Sequence, residues 1–531
     1  MAKPFYITTA IDYANSTPHL GTAYEKIGAD VIARYKRLMG FDVRFLMGND
    51  EHSQNVRKKA TELGLAPKVY CDQMAQKFKE VWKILAISND DFIQTTEPRH
   101  HQTVRAVAER IFKKGYIYKA PYEGHYCVSC EAFYQEKDLA GGLCPNHKTQ
   151  PEWIREENYF FKLTAFEKPL RELMSRPDFL RPEARRNELL HVLEQGLQDV
   201  SISRAGTDWG IPLPFDEKAV AYVWFDALIN YVSGLGSLEG GTFKRYWPAD
   251  LHVIGKDITR FHCLIWPAML IAADLPVPRG VWSHGFISID GEKMSKSRGN
   301  VADPRELSIK FDRGENHHPS SIRGSEILRY YLMREVAWDK DGDFSESRMK
   351  AHYESDLGNN LGNFINRVAT LGHKSFGQVE LALPPTRVSE RTQPYIDSIA
   401  LHIANYIEHM KNFQFSSALS EMCSMVSKGN AFIADEKPWV LRKEQKLDQA
   451  VECLFYSLDT ARIACLMLLP FMPEKAAKLL SRLTESSNSI ILTADNYLNF
   501  QEQYQNLRLN FLERLQTRLD FIPFPKLDVE P

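Results

Sequence analysis

Two short polar segments have the residue types that bind a phosphorylated nucleotide. The first, residues 18–22, includes His19 and Gly21 and lies between a strand-like segment and a helical one. A glycine lets a nucleotide approach the backbone closely, and a helix N-terminus offers free N–H groups to phosphate. The second, residues 291–300, has two lysines three positions apart, with serines and glycines around them. Such a loop can neutralise a polyphosphate leaving group, although each segment alone also fits an ordinary surface turn.

Two pairs of soft metal ligands form a third candidate site. Each pair has a two-residue spacer, and 13 residues separate the pairs. This is the spacing of a closed tetrahedral zinc site, which leaves no open position, so we predict one structural zinc ion per chain. Three cysteines cannot pair off into two disulfides, the other interpretation of such a cluster. The predicted ligands are Cys127, Cys130, Cys144 and His147.

A fourth set of residues could build an amino-acid pocket. Residues 11–13 follow the first strand, Asp50 ends the second, and segments 224–231 and 258–262 lie where the sheet resumes. In a parallel sheet, ligands bind beyond the carboxyl ends of the strands. Each aromatic residue taken singly fits a core position. Their common placement at strand ends and helix starts favours a pocket.

These candidate sites need a scaffold, and the hydrophobic pattern predicts one. Strand 5–9, an amphipathic helix and strand 42–47 follow one another through short joins, which indicates a βαβ unit and a parallel sheet. The same alternation returns at residues 251–287, after a segment at 116–215 that has short strand-like pieces and no long helix. Long amphipathic helices predominate after about residue 350. The predicted fold class is α/β: a Rossmann-like parallel sheet split by a zinc-binding insertion and followed by an all-α helical bundle.

Composition limits the class of protein. The 531 residues include 66 Lys and Arg against 68 Asp and Glu, a formal charge of −2, and 44% are hydrophobic. This length suggests about three or four domains, and the apolar fraction argues against disorder. The near-zero charge excludes a protein that holds nucleic acid by bulk charge, but it allows a local basic patch. No stretch approaches the ~18 apolar residues of a membrane span, and no signal-peptide pattern is present, so we expect a cytoplasmic protein.

Taken together, the two nucleotide-binding segments resemble the paired signatures of the class I aminoacyl-tRNA synthetases. His19-Leu20-Gly21-Thr22 is similar to His-Ile-Gly-His, with Thr22 in place of the second histidine, and residues 293–297 match Lys-Met-Ser-Lys-Ser at every position. Within that class, residues from about 4 to 500 resemble the methionyl-tRNA synthetases. The segments that carry this resemblance are 9–15, 48–52, 222–227, 255–258 and 266–270.

The resemblance implies a role for particular residues. Catalysis would rest on His19, Lys293 and Lys296. The ATP site would comprise Asn15, His19, Gly21, Thr22, Gly255, Asp257, Lys293, Ser295 and Lys296. The methionine site would comprise Ile11, Tyr13, Asp50, Trp224, Ala227, Leu228, Tyr231, Ile258 and His262. The anticodon of the tRNA would be read by Asn363, Arg367 and Trp439.

The implied reaction ligates L-methionine to tRNA(Met) in two steps. Methionine and ATP, accompanied by Mg²⁺, form methionyl adenylate and pyrophosphate, and the methionyl group then passes to the 3′-terminal ribose of the tRNA. We expect a monomer, because the sequence continues only about 30 residues past the helical domain, too few for the dimerising domain that some relatives add. Residues 313–324 are a polar excursion to which we assign no role.

The expected domain divisions follow the predicted elements. They are two catalytic halves at 1–115 and 221–290, the insertion at 116–220, a signature-loop and stem-contact segment at 291–355, the helical anticodon-binding domain at 356–500, and a C-terminal helix and tail at 501–531.

Three alternatives remain open at this point. The isoleucine, valine and leucine enzymes share both signatures but carry an editing domain of well over a hundred additional residues, whereas the insertion here has about 100. Cysteinyl-tRNA synthetase grips its substrate thiol with zinc, which a closed zinc site cannot do. The third alternative, from another functional class, is a zinc-dependent RNA-binding protein without enzymatic activity. Amino acid-dependent ATP–pyrophosphate exchange separates all of them.

Overall fold

The structure is a computed structural model that describes residues 2–127, 132–134, 136, 139–145, 148–204, 207–289, 291–293, 302–313, 321–376, 388–483 and 523–527. Four predicted site residues, Cys130, His147, Ser295 and Lys296, lie outside the described residues. Most of the predicted C-terminal helix and tail at 501–531, and residues 314–320 of the polar excursion, also lie outside them.

The first catalytic half alternates strands and helices, as predicted. Its elements are β1 (Pro4–Thr9), β2 (Asp12–Tyr13), α1 (Leu20–Leu38), β3 (Asp42–Asp50), α2 (Gln54–Glu62), α3 (Pro67–Ile84), β4 (Asp91–Gln94) and α4 (Pro98–Lys113). Helix α1 has two basic residues in its last turn, Lys36 and Arg37, which suit the negative end of the helix dipole. Gly40 follows at a φ of 81°, a conformation that glycine adopts without strain, and the chain then enters β3.

The insertion differs from its prediction. It contains β5 (Ile117–Cys127), β6 (Ala132–Tyr134), β7 (Glu152–Phe161), α5 (Glu167–Ser175), β8 (Leu180–Arg181), α6 (Glu183–Glu194), β9 (Val200–Ser201), β10 (Ser203–Arg204), β11 (Pro212–Leu213) and β12 (Asp216–Ala221). Strands β6, β5, β7 and β9 form one sheet, and β10, β12 and β11 form another. The helix α6 spans 12 residues, so the expectation of no long helix was wrong. Its short apolar face is hard to recognise among the charged residues that follow Pro182.

The second catalytic half and the signature-loop and stem-contact segment follow the insertion. Together they contain α7 (Val223–Leu228), α8 (Asn230–Ser233), α9 (Gly241–Tyr246), β13 (Leu251–Gly255), α10 (Trp266–Ala272), β14 (Val281–His284), β15 (Ile287–Ile289), β16 (Glu292–Lys293), α11 (Pro304–Phe311), α12 (Gly324–Glu335), β17 (Gly342–Phe344) and α13 (Glu346–His352). The helical segment after β13 begins irregularly, with a 3₁₀ turn at Lys256–Ile258 and a π-helical turn at Phe261–Ile265 before α10.

One parallel sheet joins the two catalytic halves. Along it, β3, β1, β13 and β14 are neighbours, and β2 and β4 pair with the carboxyl-terminal part of β3. At the far edge, β8 from the insertion pairs in parallel with β14. The carboxyl ends of β1, β3 and β13 therefore meet at one edge, where a parallel sheet binds its ligands.

The helical domain follows a π-helical segment at Tyr353–Gly362. Its helices are α14 (Asn363–Phe376), α15 (Gln393–Lys411), α16 (Phe415–Glu436), α17 (Pro438–Lys443), α18 (Leu447–Leu468) and α19 (Pro473–Leu483). One continuous apolar core runs from α1 and β1 into this bundle, and a second core lies on the other face of the sheet. Across the described ranges, no helix is both long and apolar enough to span a bilayer.

Candidate active site

His19 caps the first helix at the carboxyl edge of the sheet. Its Nδ1 accepts a hydrogen bond from the backbone N–H of Thr22 at 3.3 Å. In the neutral ring the proton therefore lies on Nε2, which leaves that nitrogen as the donor. The N–H of Leu20 donates to the carbonyl of Ala302 at 3.1 Å, so the chain after the second signature segment lies against the first.

Asp50 and the turn after β1 form one corner of the candidate amino-acid site. Asp50 ends β3 and is 4% exposed. Tyr13 lies directly opposite it in the β2–β3 pairing, and the Asp50 carbonyl accepts from the N–H of Ala14 at 3.0 Å. Ile11 directly precedes β2. The structure thus brings together Ile11, Tyr13 and Asp50, three predicted residues from the turn after β1 and from the paired strands β2 and β3.

Tyr231 and His262 form a fixed hydrogen-bonded pair in the same region. The Nδ1 of His262 lies 3.0 Å from the carbonyl of Ile258, and its Nε2 lies 2.6 Å from the Tyr231 hydroxyl. A carbonyl only accepts, so Nδ1 carries the proton and Nε2 accepts from Tyr231 in the neutral ring. Burial lowers the pKa of His262 to about 4 and raises that of Tyr231 well above its usual range. Both side chains are neutral at physiological pH.

Trp224 forms an aromatic wall beside this pair. Its ring stacks on Phe261 with centroids 3.8 Å apart, and it meets Tyr13 edge-on at 6.5 Å. The indole Nε1 is buried and has no hydrogen-bond partner among the described residues. Ala227 and Leu228, later in α7, are buried as well. Phe261 lies in the predicted segment 258–262 but was not among the individual residues assigned to the methionine site.

A buried cluster that the sequence analysis missed joins the two sides of this site. One carboxylate oxygen of Asp226 lies 2.6 Å from Nδ1 of His52, and the other lies 2.5 Å from Nε2 of His100. The second ring nitrogen of His100 contacts Ser233 at 2.7 Å. Burial opposes ionisation of Asp226, but the two histidines outweigh it and lower its pKa far below the usual range. The cluster therefore fixes α7 to the segment that follows Asp50.

A second missed cluster lies under the end of β1. Lys26 is 1% exposed, and its ammonium contacts Asp12 at 3.0 Å, Glu25 at 2.6 Å and the carbonyl of Ala10 at 2.9 Å. Glu25 in turn lies 3.0 Å from Nε2 of His284 at the end of β14. Burial and the nearby Glu25 raise the pKa of Asp12 to about 6, against the opposing effect of Lys26. This chain of contacts links the ends of β1 and β14 through α1.

The remaining predicted ATP-site residues lie around the same edge. Gly255 ends β13, and Asp257 follows in the 3₁₀ turn. A Cβ atom at Gly255 would lie 2.7 Å from a carboxylate oxygen of Asp257, so any side chain there would displace it. Asn15 lies in the turn between β2 and α1, and Gly21 in the first turn of α1. Lys293 belongs to β16, whose backbone pairs with β15 opposite Ser288.

Two of the four predicted zinc ligands are described, and they lie close to one another. Cys127 and Cys144 are both buried. The Sγ of Cys127 lies 3.6 Å from the Thr149 hydroxyl, and the N–H of Cys144 donates to the Thr149 carbonyl at 2.9 Å. Within the described part of the chain, no three metal-binding side chains come together. Two buried thiols that share one neighbouring residue fit half of a tetrahedral zinc site.

The predicted anticodon residues lie together on the helical domain. Asn363 begins α14 and is exposed. The Arg367 guanidinium lies 5.8 Å from the ring centre of Trp439 on α17, and it donates to the carbonyl of Asn430 at 3.3 Å. Two distant parts of the sequence therefore meet in one cationic and aromatic surface.

Comparison with known proteins identifies the family. The description "tRNA synthetases class I (M)" matches residues 5–152 and 146–369, and "Anticodon binding domain of methionyl tRNA ligase" matches residues 384–506. The chain belongs to the methionyl-tRNA synthetases. Two curated methionine–tRNA ligases illustrate the similarity. That of Caldanaerobacter subterraneus subsp. tengcongensis is 40% identical over 100% of this chain and 80% of its own length, and that of Thermotoga maritima is 41% identical over 90% and 75%.

Solved methionyl-tRNA synthetases have the same fold. The Mycobacterium tuberculosis enzyme in complex with methionyl-adenylate gives a TM-score of 0.85 at 37% identity, covering 92% of this chain and 95% of that one. Its apo form gives 0.78 at 34% identity, over 91% and 92%. The predicted Rossmann-like sheet and helical anticodon domain are confirmed.

The predicted activity is also confirmed. The chain is a methionine–tRNA ligase that activates methionine with ATP and charges tRNA. Membership of the methionyl-tRNA synthetases excludes the isoleucine, valine, leucine and cysteine enzymes, and it excludes an RNA-binding protein without enzymatic activity.

Proposed function

We propose that the residues assembled at the carboxyl edge carry the activation step. The methionine carboxylate, already anionic, attacks the α-phosphorus of ATP without a general base. A bond forms between a carboxylate oxygen and that phosphorus, the bond to the bridging oxygen breaks, and pyrophosphate leaves. Mg²⁺ arrives with ATP and supplies further positive charge on its phosphates. The observation that carries this proposal is the orientation of His19, whose Nε2 remains a donor because Nδ1 accepts from Thr22.

Positioned positive charge then stabilises the developing pyrophosphate. Lys293, on β16, and Lys296, three residues later in the sequence, would supply that charge, with Ser295 between them. His19 would contact the phosphates from the first helix. Thr22 would take part through its hydroxyl, and Gly21 would allow close approach. Asn15, Gly255 and Asp257 would hold the remainder of ATP, with the last two facing the ribose.

Methionine would lie between the Asp50 corner and the aromatic wall. Asp50 would pair with its ammonium group, with help from the Ile11 carbonyl. Tyr13, Trp224, Ala227, Leu228, Tyr231, Ile258 and His262 would surround the thioether. A flexible, polarizable chain is well held by aromatic rings. The neutral Tyr231–His262 pair supports this placement, because it offers an uncharged polar contact and no ion to select a charged side chain.

The second step transfers the methionyl group. The hydroxyl of the 3′-terminal ribose attacks the mixed anhydride, an ester bond forms and AMP leaves. Asn363, Arg367 and Trp439 would hold tRNA(Met) at its anticodon, where an indole can stack on an unpaired base while Asn and Arg read base edges.

The zinc site is proposed as structural. Cys127, Cys130, Cys144 and His147 would hold one Zn²⁺, which would tie the end of β5 to the turn after β6. Metal analysis of the purified protein tests this directly: we expect one zinc per chain, and none in Cys144→Ser. Zinc retained at full occupancy in that variant would exclude this ligand set.

Domain divisions, location and assembly complete the proposal. We propose the boundaries given under Sequence analysis, a cytoplasmic protein and a monomer. Size-exclusion chromatography with light scattering tests the last of these, and a mass of twice 61.0 kDa would contradict it.

The decisive experiment is ATP–pyrophosphate exchange measured with each amino acid in turn. We expect exchange with methionine only, and its loss in Asp50→Ala at ordinary methionine concentrations. Asp356→Ala, which changes a carboxylate in the helical part of the chain, is the matched control. If Asp50→Ala and the wild type bind methionine equally well, the proposed ammonium site is wrong.

A further inference from the structure

Helix α12 connects the catalytic sheet to the helical domain through two buried charged residues. Glu326 and Arg329 are three positions apart and therefore share one face of α12. They are 2% and 0% exposed. Both contact the turn between α18 and α19, which belongs to the other domain.

Arg329 binds the start of that turn. Its guanidinium donates to the carbonyl of Phe471 at 3.0 Å and to that of Pro470 at 3.0 Å, just after α18 ends. Both carbonyls lie beyond the last residue of α18, so the hydrogen bonds of that helix do not include them. The same guanidinium also pairs with Asp30 of α1 at 2.7 Å and donates to the carbonyl of Leu85 at 3.1 Å.

Glu326 binds the other side of the turn. Its carboxylate accepts from the backbone N–H groups of Glu474 at 2.7 Å and Lys475 at 3.1 Å. These are first-turn amides of α19, which also lack partners within their helix, and the positive end of the helix dipole favours a carboxylate there. One face of α12 thus presents a cation to the carbonyls of the turn and an anion to the first-turn amides of α19.

The connection continues to the catalytic helix. Asp30 is 0% exposed and accepts from Ser88 and Arg34 as well as from Arg329, at 2.7 Å from the Ser88 N–H and 2.7 Å from Arg34. Burial opposes its ionisation, but Arg329 and Arg34 outweigh it and lower the pKa of Asp30. Asp30 lies in α1, the helix that His19 caps. Glu326, Arg329 and Asp30 are buried and hydrogen-bonded, so a shift of either domain would break several contacts at once.

We propose that Glu326 and Arg329 are positioning residues for the tRNA step: they hold the helical domain at the one orientation in which a tRNA bound at its anticodon presents its 3′ end to the active site. None of the residues proposed for methionine activation lies in the helical domain, so activation should not need this orientation. For the place where the tRNA is held, this inference rests on the anticodon site proposed above.

Glu326→Ala is the most informative variant, because the carboxylate of Glu326 hydrogen-bonds α19, whereas Arg329 also binds Asp30 of α1. We expect methionine-dependent pyrophosphate exchange to stay within about twofold of wild type, and kcat/KM for charging tRNA(Met) to fall about tenfold or more. Arg323→Ala is the matched control, since it removes a half-exposed ion pair with Glu474 at the same junction. It should leave both activities unchanged.

A tRNA with a substituted anticodon separates positioning from general damage. In the wild type, the anticodon substitution should lower kcat/KM for charging strongly. In Glu326→Ala the same substitution should lower kcat/KM by a factor at least about threefold smaller, because the substitution and the variant act through the same contact between the anticodon and the oriented domain. The inference is wrong if Glu326→Ala lowers pyrophosphate exchange and tRNA charging by the same factor. It is also wrong if Glu326→Ala lowers kcat/KM equally for the normal and the substituted tRNA. Should Glu326→Ala fail to fold, Glu326→Gln gives the same comparison with one acceptor oxygen kept.

The two proposals fail in different ways. If Trp439→Ala leaves the anticodon preference intact, the proposed anticodon site is wrong, and the Glu326 result still reports on domain orientation. If Trp439→Ala abolishes the preference while Glu326→Ala changes neither activity, the anticodon site stands and the positioning role falls.

Discussion

The Tyr231 hydroxyl lies 2.6 Å from Nε2 of His262, and both side chains are almost fully buried. The Ile258 carbonyl fixes the tautomer of His262, because this acceptor requires a proton on Nδ1 of the ring. Nε2 therefore accepts the hydrogen bond from Tyr231. The pair is therefore a neutral, rigid part of the proposed methionine pocket. Its geometry gives the first two predictions.

Tyr231→Phe should raise the KM for methionine about tenfold, because a buried acceptor left without its donor costs about 1–3 kcal/mol. The KM for ATP should not change. Steady-state pyrophosphate exchange with either substrate varied measures both constants. Tyr395→Phe is the control, since it removes another buried hydroxyl contact, with Thr460 at 2.6 Å, in the helical domain. If Tyr231→Phe and Tyr395→Phe change the KM for methionine equally, Tyr231 is not part of the methionine pocket.

The low pKa of His262 makes stability depend on pH. An unfolded histidine titrates near 6.5, whereas this ring titrates at about 4. Between those values the unfolded chain holds a proton that the folded protein lacks, so the free energy of unfolding falls as the pH falls. The loss should reach about 2 kcal/mol between about pH 6.5 and pH 5. Urea unfolding of wild type and His262→Gln at both pH values measures it, and the variant should lose correspondingly less. If wild type and His262→Gln lose the same free energy of unfolding between the two pH values, the low pKa of His262 is not the cause of the loss.

Lys26→Met should destabilise the protein by about 3–5 kcal/mol, because it leaves the buried Glu25 and the partly buried Asp12 without their shared cation. The measurement is the midpoint of thermal unfolding. Lys59→Met provides the comparison: Lys59 pairs with Glu62 on the exposed face of α2, and its loss should not shift the midpoint measurably. A similar shift for both lysines would mean that the buried cluster contributes nothing specific.

Lys293→Ala should slow adenylate formation about 100-fold or more, since it removes charge that opposes the developing pyrophosphate. Methionine affinity, measured by equilibrium dialysis, should change little. Lys310→Ala, on α11 and paired with Glu346 at the surface, is the control. An unchanged exchange rate in Lys293→Ala would remove this lysine from the proposed mechanism.

Trp439→Ala should lower kcat/KM for tRNA(Met) about 10- to 100-fold, because stacking of a base on an aromatic ring is worth about 1–3 kcal/mol. Pyrophosphate exchange should be normal. Trp153→Ala removes an indole that is 62% exposed on the insertion, and it should leave charging unaffected. If Trp153→Ala and Trp439→Ala reduce charging alike, the effect of Trp439 is not specific to an anticodon contact.

The parts of the site that follow from local sequence were predictable. His19 and Gly21 lie between a strand and a helix, and Asp50 ends a strand, so a βαβ pattern places all of them at one edge. Lys293 was predicted differently, from the spacing of the two lysines in its segment and from the match to the second signature. The assignment of Arg367 and Trp439 to one anticodon site came from the family resemblance and not from any local pattern.

The supporting clusters could not be predicted in this way. His52, His100 and Asp226 come from three parts of the chain that are far apart in the sequence. Their spacing matches no pattern that predicts a contact between them. From the helical pattern of α1 alone, Lys26 would be predicted as an ordinary polar residue. Its burial depends on Asp12 and Glu25 being close enough to compensate its charge, which only the folded chain reveals.

The pairing of β8 with β14 has a practical consequence for truncation. Residues 116–220 look removable, because the parallel sheet resumes after them. Yet β8 lies within that segment and covers the outer edge of β14, with Leu180 opposite Val281 and Arg181 opposite Trp282. Excising the segment would leave the backbone N–H and C=O groups of β14 as an open template for another chain. A shortened catalytic fragment therefore needs to retain β8, or it will form aggregates through that edge however well the rest of it folds.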